Sequence, residues 1–284
     1  DIYKFCDYNI VYNCNFKIAI NNGWLVPFKY YGIYDDDIDY NKIKFNNGKY
    51  DETELDNYLM QIKRAEKIIN YYNIYKNKKA IAFCSSIKHC NFMQWEFNKN
   101  NIKTKSLTSE NSNQRKEIMN DFKSGKIEIL CVVDIFNEGV DVPDVDLVMF
   151  LRPTESFTIF IQQLGRGLRK NINKKYLTVL DFVGNYKKAE LKPLYLTGEF
   201  KSDLLMLPTE KSFTLPLNCS ANFDLKLIDL FAKLKNKSIP IKERLKEEYF
   251  TIKEKLNKNQ NEIVNIFELF ENTNYSVQYY IKNF

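Results

Sequence analysis

The segment Gln162–Arg169, with the sequence QQLGRGLR, contains the residues whose chemistry is easiest to name. Gln162, Gly165, Arg166 and Arg169 have the spacing Q-x-x-G-R-x-x-R, which on a helix places all four on one side. Two guanidinium groups one turn apart repel each other unless an anion lies between them, and each offers a fork of donors that matches phosphate oxygens. Gly165 leaves room for a close approach of the backbone. The spacing therefore predicts a phosphate-contacting helix face; the alternative is a basic helix end that favours the helix dipole.

A second segment, Asn137–Pro143 with the sequence NEGVDVP, lies upstream in a predicted loop. Unrelated chains rarely contain both segments in this order, so the pair favours the functional interpretation. Hydroxyl side chains also follow predicted strands, at Ser85, Ser86 and Thr108. For these three, helix capping or turn formation is an equally good interpretation.

The scaffold for these side chains is predicted by an alternation of short apolar runs and amphipathic stretches. A helix begins at Asp51, which could form a reciprocal cap with Glu54, and its apolar residues recur at three- and four-residue steps up to Tyr72. Beyond it we predict strands at 80–84, 102–107, 127–133, 146–151 and 176–182, with helices at 87–100, 112–123 and 156–168. Such alternation implies right-handed crossovers and a mainly parallel sheet covered by helices on both faces. Ligands of such sheets lie beyond the carboxyl ends of the strands.

The whole set resembles the second, C-terminal RecA-like motor domain of superfamily 2 DEAD/DEAH-type helicases. The most similar branch contains the helicase subunits of type III restriction enzymes and their stand-alone relatives, and the resemblance runs from Trp24 to about Phe182. Ala80–Ser86 (AIAFCSS) is similar to motif IV, Asn137–Pro143 to motif V and Gln162–Arg169 to motif VI. Motifs V and VI together are specific evidence for this resemblance, whereas motif IV alone would be weak evidence.

The resemblance implies roles around a bound nucleotide. Arg166 and Arg169 would be arginine fingers that reach the γ-phosphate of ATP, and Gln162 would contact the same phosphate or its attacking water. Asp141 would bind the ribose or stabilise its loop. The glycines Gly139 and Gly165 would let the backbone approach closely.

The resemblance also implies partners. Ser85, Ser86 and Thr108 would contact the backbone of DNA, with RNA as the alternative. The chain has no G-x-x-x-x-G-K-[ST] phosphate loop and no Asp-Glu-x-His after a strand. We therefore expect ATP and Mg²⁺ to be held mainly by a first RecA-like domain that is missing from this sequence.

The expected fold class is a three-layer α/β RecA-like domain with a small C-terminal helical domain. Residues 1–50 would connect from the first motor domain, 51–200 would form the second RecA-like domain, and 201–284 a helical accessory domain. The expected function is that of the C-terminal motor domain of an ATP-dependent helicase or translocase, inactive alone. The alternatives are a nucleic-acid-binding module without ATPase activity and a nucleotide-dependent α/β transferase.

Composition sets weaker limits. The net charge of +6 permits an anionic partner without requiring one, and no apolar run reaches the length of a membrane span. The six scattered cysteines favour reduced thiols and a cytoplasmic protein, and no metal site is expected at Cys84, His89 and Cys90. We also expect the acidic run at 35–39 to be a solvated turn. Trp24 and the aromatic residues at 28–34 could stack on bases, but a strand packed in the core is the favoured interpretation.

Overall fold

The computed structural model describes residues 15–46, 48–76, 79–133, 145–198, 207–210 and 213–238, with positions 245, 249–250, 252–253, 255–256, 258 and 262–272. The chain divides into two compact units, 1–230 and 231–284. Among the described residues, no helix has both the length and the apolar character that crossing a membrane would require.

A seven-stranded parallel sheet dominates the first unit, in the order β5-β6-β4-β7-β8-β1-β9. Its strands are β1 (Phe28–Tyr34), β4 (Ala80–Phe83), β5 (Thr104–Leu107), β6 (Ile129–Val132), β7 (Leu147–Phe150), β8 (Leu177–Val183) and β9 (Ser220–Phe223); β2 (Phe45–Asn46) and β3 (Lys49–Tyr50) form a separate antiparallel ribbon. Every residue of β4, β6, β7 and β8 is buried. Burial on both faces is why these strands are continuous apolar runs in the sequence.

The described helices are α1 (Phe16–Asn21), α2 (Glu52–Leu59), α3 (Ile62–Ile74), α4 (Ile87–Lys99), α5 (Arg115–Lys123), α6 (Phe157–Gly167), α7 (Lys192–Thr197), α8 (Leu225–Ser238) and α9 (Ile266–Asn272). Helices lie on both sides of the sheet, so the predicted three-layer α/β class is confirmed. The five strands predicted between 80 and 182 are also confirmed, to within a few residues at each end.

The helix predicted from Asp51 to Tyr72 is instead two helices, because α2 ends at Leu59 and α3 begins at Ile62. Only half of the predicted reciprocal cap forms. Asp51 accepts a hydrogen bond from the Glu54 backbone N–H at 2.9 Å, but the Glu54 carboxylate bonds Lys44 instead.

The sheet extends beyond the bounds 51–200 that the sequence suggested for this domain. β1 lies in the segment predicted to be a connection, yet it pairs with β8 along its whole length. β9 lies in the segment predicted to be helical, and it pairs with the other side of β1. Pairing between strands so far apart in sequence leaves no local signal, which is why the sequence did not reveal it.

A buried ion pair joins helix α3 to the residues that directly follow β1 and β7. The Arg64 Nε donates to Asp35 Oδ2 at 2.9 Å, and its Nη2 donates to the Leu151 carbonyl at 3.0 Å. Both charged side chains are fully buried. The solvated turn predicted for the acidic run at 35–39 is only partly right. A turn forms at 36–37, where Asp36 is exposed, and Asp39 is partly exposed. Asp35, however, is buried and pairs with Arg64, and Asp37 pairs with Lys63 at 2.8 Å.

We predict that Asp35→Asn lowers the free energy of unfolding by about 3–5 kcal/mol, because it leaves the Arg64 charge buried without its partner. Lys126→Met is the matched control, since it breaks the exposed Lys126–Asp121 pair and should cost about 0–1 kcal/mol. Urea denaturation followed by circular dichroism measures both values. Equal effects of the two substitutions would contradict the importance given to the buried pair.

Candidate functional site

Helix α6 carries most of the predicted phosphate-contacting residues. It begins at the carboxyl end of β7, where Ser156 caps it by accepting from the Ile159 N–H at 3.4 Å and Phe160 stacks on Phe150 at 5.1 Å. Because α6 crosses back between two parallel strands, it ends above the amino ends of β7 and β8. The two arginines therefore do not lie at the carboxyl ends, where the sequence led us to look for chemistry.

The predicted residues occupy different positions along this helix. Gln162 is exposed, while Gly165 and Arg166 are half-buried in the last turn. Arg169 is also half-buried, but it lies beyond the helix end, because Leu168 is the C-terminal cap. The shared helix side that we predicted therefore holds for the first three residues only. An added Cβ at Gly165 would meet nothing within 4 Å, so the backbone there is open to a ligand.

Gly167 is the residue of this segment that the sequence analysis missed. An added Cβ there would lie 2.7 Å from the Leu177 side chain and 3.0 Å from Val148, so the lack of a side chain at Gly167 lets the end of α6 pack this closely on β7 and β8. The end is held further by the Val26 N–H, which donates to the Leu168 carbonyl at 2.9 Å, and by Lys174, whose Nζ donates to the Gly167 carbonyl. The second glycine of the sequence Gly165-Arg166-Gly167 was the signal from which this role could have been predicted.

Trp24 lies two residues before Val26 and is 55% exposed. The expectation that it packs in the core is wrong, although Phe28 and Tyr30, further along the same stretch, are buried. The loop that carries Trp24 follows the end of α1 and is fixed by the Val26 contact to Leu168. An indole is thereby presented to solvent near the end of α6.

The hydroxyl residues predicted to contact nucleic acid lie at the opposite, carboxyl edge of the sheet. Ser86 caps α4 by accepting from the His89 N–H at 3.0 Å, and it is only 3% exposed. Thr108 is 2% exposed, and its N–H donates to Asn111 Oδ1 at 2.9 Å. Ser85 is half-buried. For Ser86 and Thr108, burial favours the capping and turn interpretation over direct contact through the hydroxyl.

The structure does not bring the phosphate-contacting residues predicted on α6 close to the hydroxyl residues Ser85, Ser86 and Thr108. A four-residue strand such as β4 is about 13 Å long, and this length separates Ser85 from the edge where α6 ends. Gly139 and Asp141, with the rest of the Asn137–Pro143 segment, lie outside the described residues.

The carboxyl edge also contains a cavity of about 460 Å³ next to Ser85. Its lining includes Tyr50 of β3 and the residues that lead from β7 into α6. Glu155 is one of these, and burial raises the pKa of its carboxyl group to about 7. A carboxyl group with this pKa is about half protonated at neutral pH.

No metal site was expected at Cys84, His89 and Cys90. All three residues are buried. Burial lowers the pKa of His89, so its imidazole is neutral at physiological pH. Within the described part of the chain, no group of three or more His, Cys, Asp or Glu side chains is arranged to hold a metal ion.

Known proteins are similar to this chain in part of its sequence and in its fold. The family described as the helicase conserved C-terminal domain matches residues 61–171. The "51.5 kDa protein" of a Lactococcus phage is 32% identical over 59% of this chain and 36% of its own length. The "Putative ATP-dependent helicase IRC3" of Saccharomyces cerevisiae is 29% identical over 62% of this chain and 26% of its own length. The chain therefore spans about a third or less of these curated relatives.

A solved structure shows the same fold. It is described as the fragment structure of a putative HsdR subunit of a type I restriction enzyme from Vibrio vulnificus YJ016. It is similar to 78% of this chain, and 41% of its own length is covered, with a TM-score of 0.55 and 18% identity. This likeness identifies the seven-stranded sheet with its helices as a RecA-like domain.

We predict opposite effects for alanine at the two glycines of α6. Gly165→Ala should raise the free energy of unfolding by about 0.5–1 kcal/mol, because the site is open and glycine is a poor residue inside a helix. Gly167→Ala should lower it by about 1–3 kcal/mol, since the added methyl group overpacks Leu177 and Val148. Thermal or urea unfolding measures both, and effects of the same sign would contradict this account of the helix end.

Proposed function

Because residues 61–171 match the helicase conserved C-terminal domain, we propose that the chain is the C-terminal motor domain of an ATP-dependent nucleic-acid helicase or translocase. The observation that carries the proposal is the end of α6, where Arg166 stands beside the open backbone of Gly165. An open edge, instead of a closed pocket, suits a ligand that is held by another domain. It does not suit a transferase that encloses its own nucleotide.

The proposed roles at this edge are electrostatic. Arg166 and Arg169 donate to the phosphate oxygens of an ATP molecule bound to a first RecA-like domain, and Gln162 contacts the same phosphate. Fixed guanidinium groups stabilise the charge that shifts between phosphate oxygens in the transition state. The exposure of Gln162 and the half-exposure of both arginines are compatible with these contacts.

The remaining nucleotide contacts belong to the proposal as well. We assign the ribose contact to Asp141 and a close backbone approach to Gly139 and Gly165. The described residues offer no cluster of carboxylates for Mg²⁺, so the ion would be held by the first domain together with the phosphates. Bound ATP would supply the free energy that closes the two domains on each other.

The proposed nucleic-acid groove lies along the carboxyl edge of the sheet, away from the arginines. This arrangement lets domain closure at one edge shift the strand held at the other. DNA is the proposed partner, with RNA as the alternative, and the site of action would be the cytoplasm. Ser85, Ser86 and Thr108 would contribute to the groove by shaping the loops after β4 and β5.

We predict that Arg166→Ala or Arg169→Ala, made in the protein together with its first motor domain, lowers ATP turnover at least about a hundredfold. Arginine fingers contribute on the order of 10³–10⁵ in rate in phosphoryl transfer, and two of them share the task here. The KM for ATP should change far less, because the first domain makes most of the contacts. Lys170→Ala, an exposed cation next to Arg169, is the control and should keep normal turnover. Near-normal turnover in both arginine variants would refute the proposal.

We also predict that the 284-residue chain alone does not release phosphate from ATP above background. The reason is that its sequence has no phosphate-binding loop, so the arginines have no positioned triphosphate on which to act. A coupled phosphate-release assay measures this. Turnover by the isolated chain that disappears in Arg166→Ala would show that a complete ATPase site exists within these residues.

A further inference from the structure

Asp56 of α2 is hydrogen-bonded to the loop that follows β4 through both of its carboxylate oxygens. Ser85 Oγ donates to Asp56 Oδ1 at 2.9 Å, and Ser86 Oγ donates to Oδ2 at 2.6 Å. Asp56 is 4% exposed, so one buried carboxylate holds two consecutive hydroxyl groups. No motif of the sequence singled out Asp56.

The hydroxyl protons of Ser85 and Ser86 are taken up by acceptors inside the protein. A serine hydroxyl has a single proton. Ser86 donates its proton to Asp56, whereas the proton of Ser85 has two acceptors inside the protein, Asp56 Oδ1 and the His89 Nδ1 that also accepts the Ser85 N–H at 3.3 Å. The Ser86 oxygen also accepts from the His89 N–H at 3.0 Å, and the Ser85 oxygen lies 3.0 Å from His89 Nδ1. While Asp56 is in place, neither hydroxyl can donate to a phosphate.

The loop can therefore contact a nucleic-acid backbone only through its remaining groups. Lys88 is exposed on the first turn of α4, two residues after Ser86. The direction of this turn is fixed by the Ser86 cap, and the cap is in turn held by Asp56. Asp56 thus controls where the loop and the start of α4 present their positive charge.

We infer that Asp56 is a positioning residue for nucleic-acid binding, which orients the Ser85–Ser86 loop and the start of α4 toward the backbone. This inference rests on the function proposed above. It differs from the interpretation in which the serine hydroxyls bind phosphate themselves. In that case the Asp56 carboxylate would compete with the phosphate, and its removal would free two donors and tighten binding.

The sign of the effect of Asp56→Ala on affinity separates the two interpretations. We expect affinity for a labelled single-stranded oligothymidylate to fall about three- to tenfold, the loss that follows when the hydrogen bonds that fix a contact are removed. Asp56→Asn retains one acceptor oxygen and should lose less. Glu52→Gln is the matched control, because it removes an exposed carboxylate from the same helix without touching the serines, and it should not weaken binding.

Coupling between the residues provides a second readout that general damage to the fold would not produce. Ser85→Ala should weaken binding in the wild-type background and add almost nothing in Asp56→Ala, because both changes break the same contact. Fluorescence anisotropy on the 284-residue chain, well below each variant's unfolding temperature, measures these affinities. If Asp56→Ala does not fold, Asp56→Asn is used in the same cycle.

Each outcome is decisive. Unchanged or tighter binding in the Asp56 variants overturns the positioning role, as does a loss that is simply additive with that of Ser85→Ala. Weaker binding with strong coupling supports it. Failure of the wild-type chain to bind any oligonucleotide counts against the proposed function, and that result is distinct from a wild type that binds and variants that do not change.

Discussion

Arg64 reaches from α3 through the core to the point where β1 and β7 end. Its guanidinium group is fully buried against Asp35, and it also bonds the carbonyl of Leu151. Leu151 is the last residue before the segment that leads into α6. Removing charges from water is expensive, so such a pair adds less to stability than its short distances suggest. What it fixes is geometry, because it ties a helix and the exits of two strands to one point.

A second buried pair lies at the same edge of the sheet and completes this arrangement. Lys192 donates to Asp181 of β8 at 2.8 Å, and Tyr30 of β1 donates to the same carboxylate oxygen. The Lys192 ammonium lies 4.7 Å from the ring centre of Phe160, on α6. The two pairs therefore fix the positions of β1, β7, β8 and the first turns of α6 relative to one another. The position of the end of α6, and of its arginines, follows from this arrangement.

The sequence predicted those parts of the fold that have a local signal. β4, β6 and β7 are short apolar runs, and α4 and α6 have clear caps and periodicity, so their positions needed no tertiary information. The burial of Asp35 could not be predicted in the same way, because three consecutive aspartates look solvated unless the position of Arg64 is known. Asp56 escaped notice for a related reason: its partners are close in space but about thirty residues away in sequence.

The position of β1 between β8 and β9 sets the order of events during synthesis. β1 is the first strand of the sheet to leave the ribosome, but both of its neighbours come much later, and β9 follows about 190 residues behind it. At about 5–20 residues per second, β1 waits on the order of ten seconds or more with both edges unpaired. Unpaired edges of an apolar strand are sites of aggregation. The topology thus leaves both edges of β1 open to aggregation until β8 is made, unless Phe28 and Tyr30 are buried in other contacts or a chaperone covers the strand.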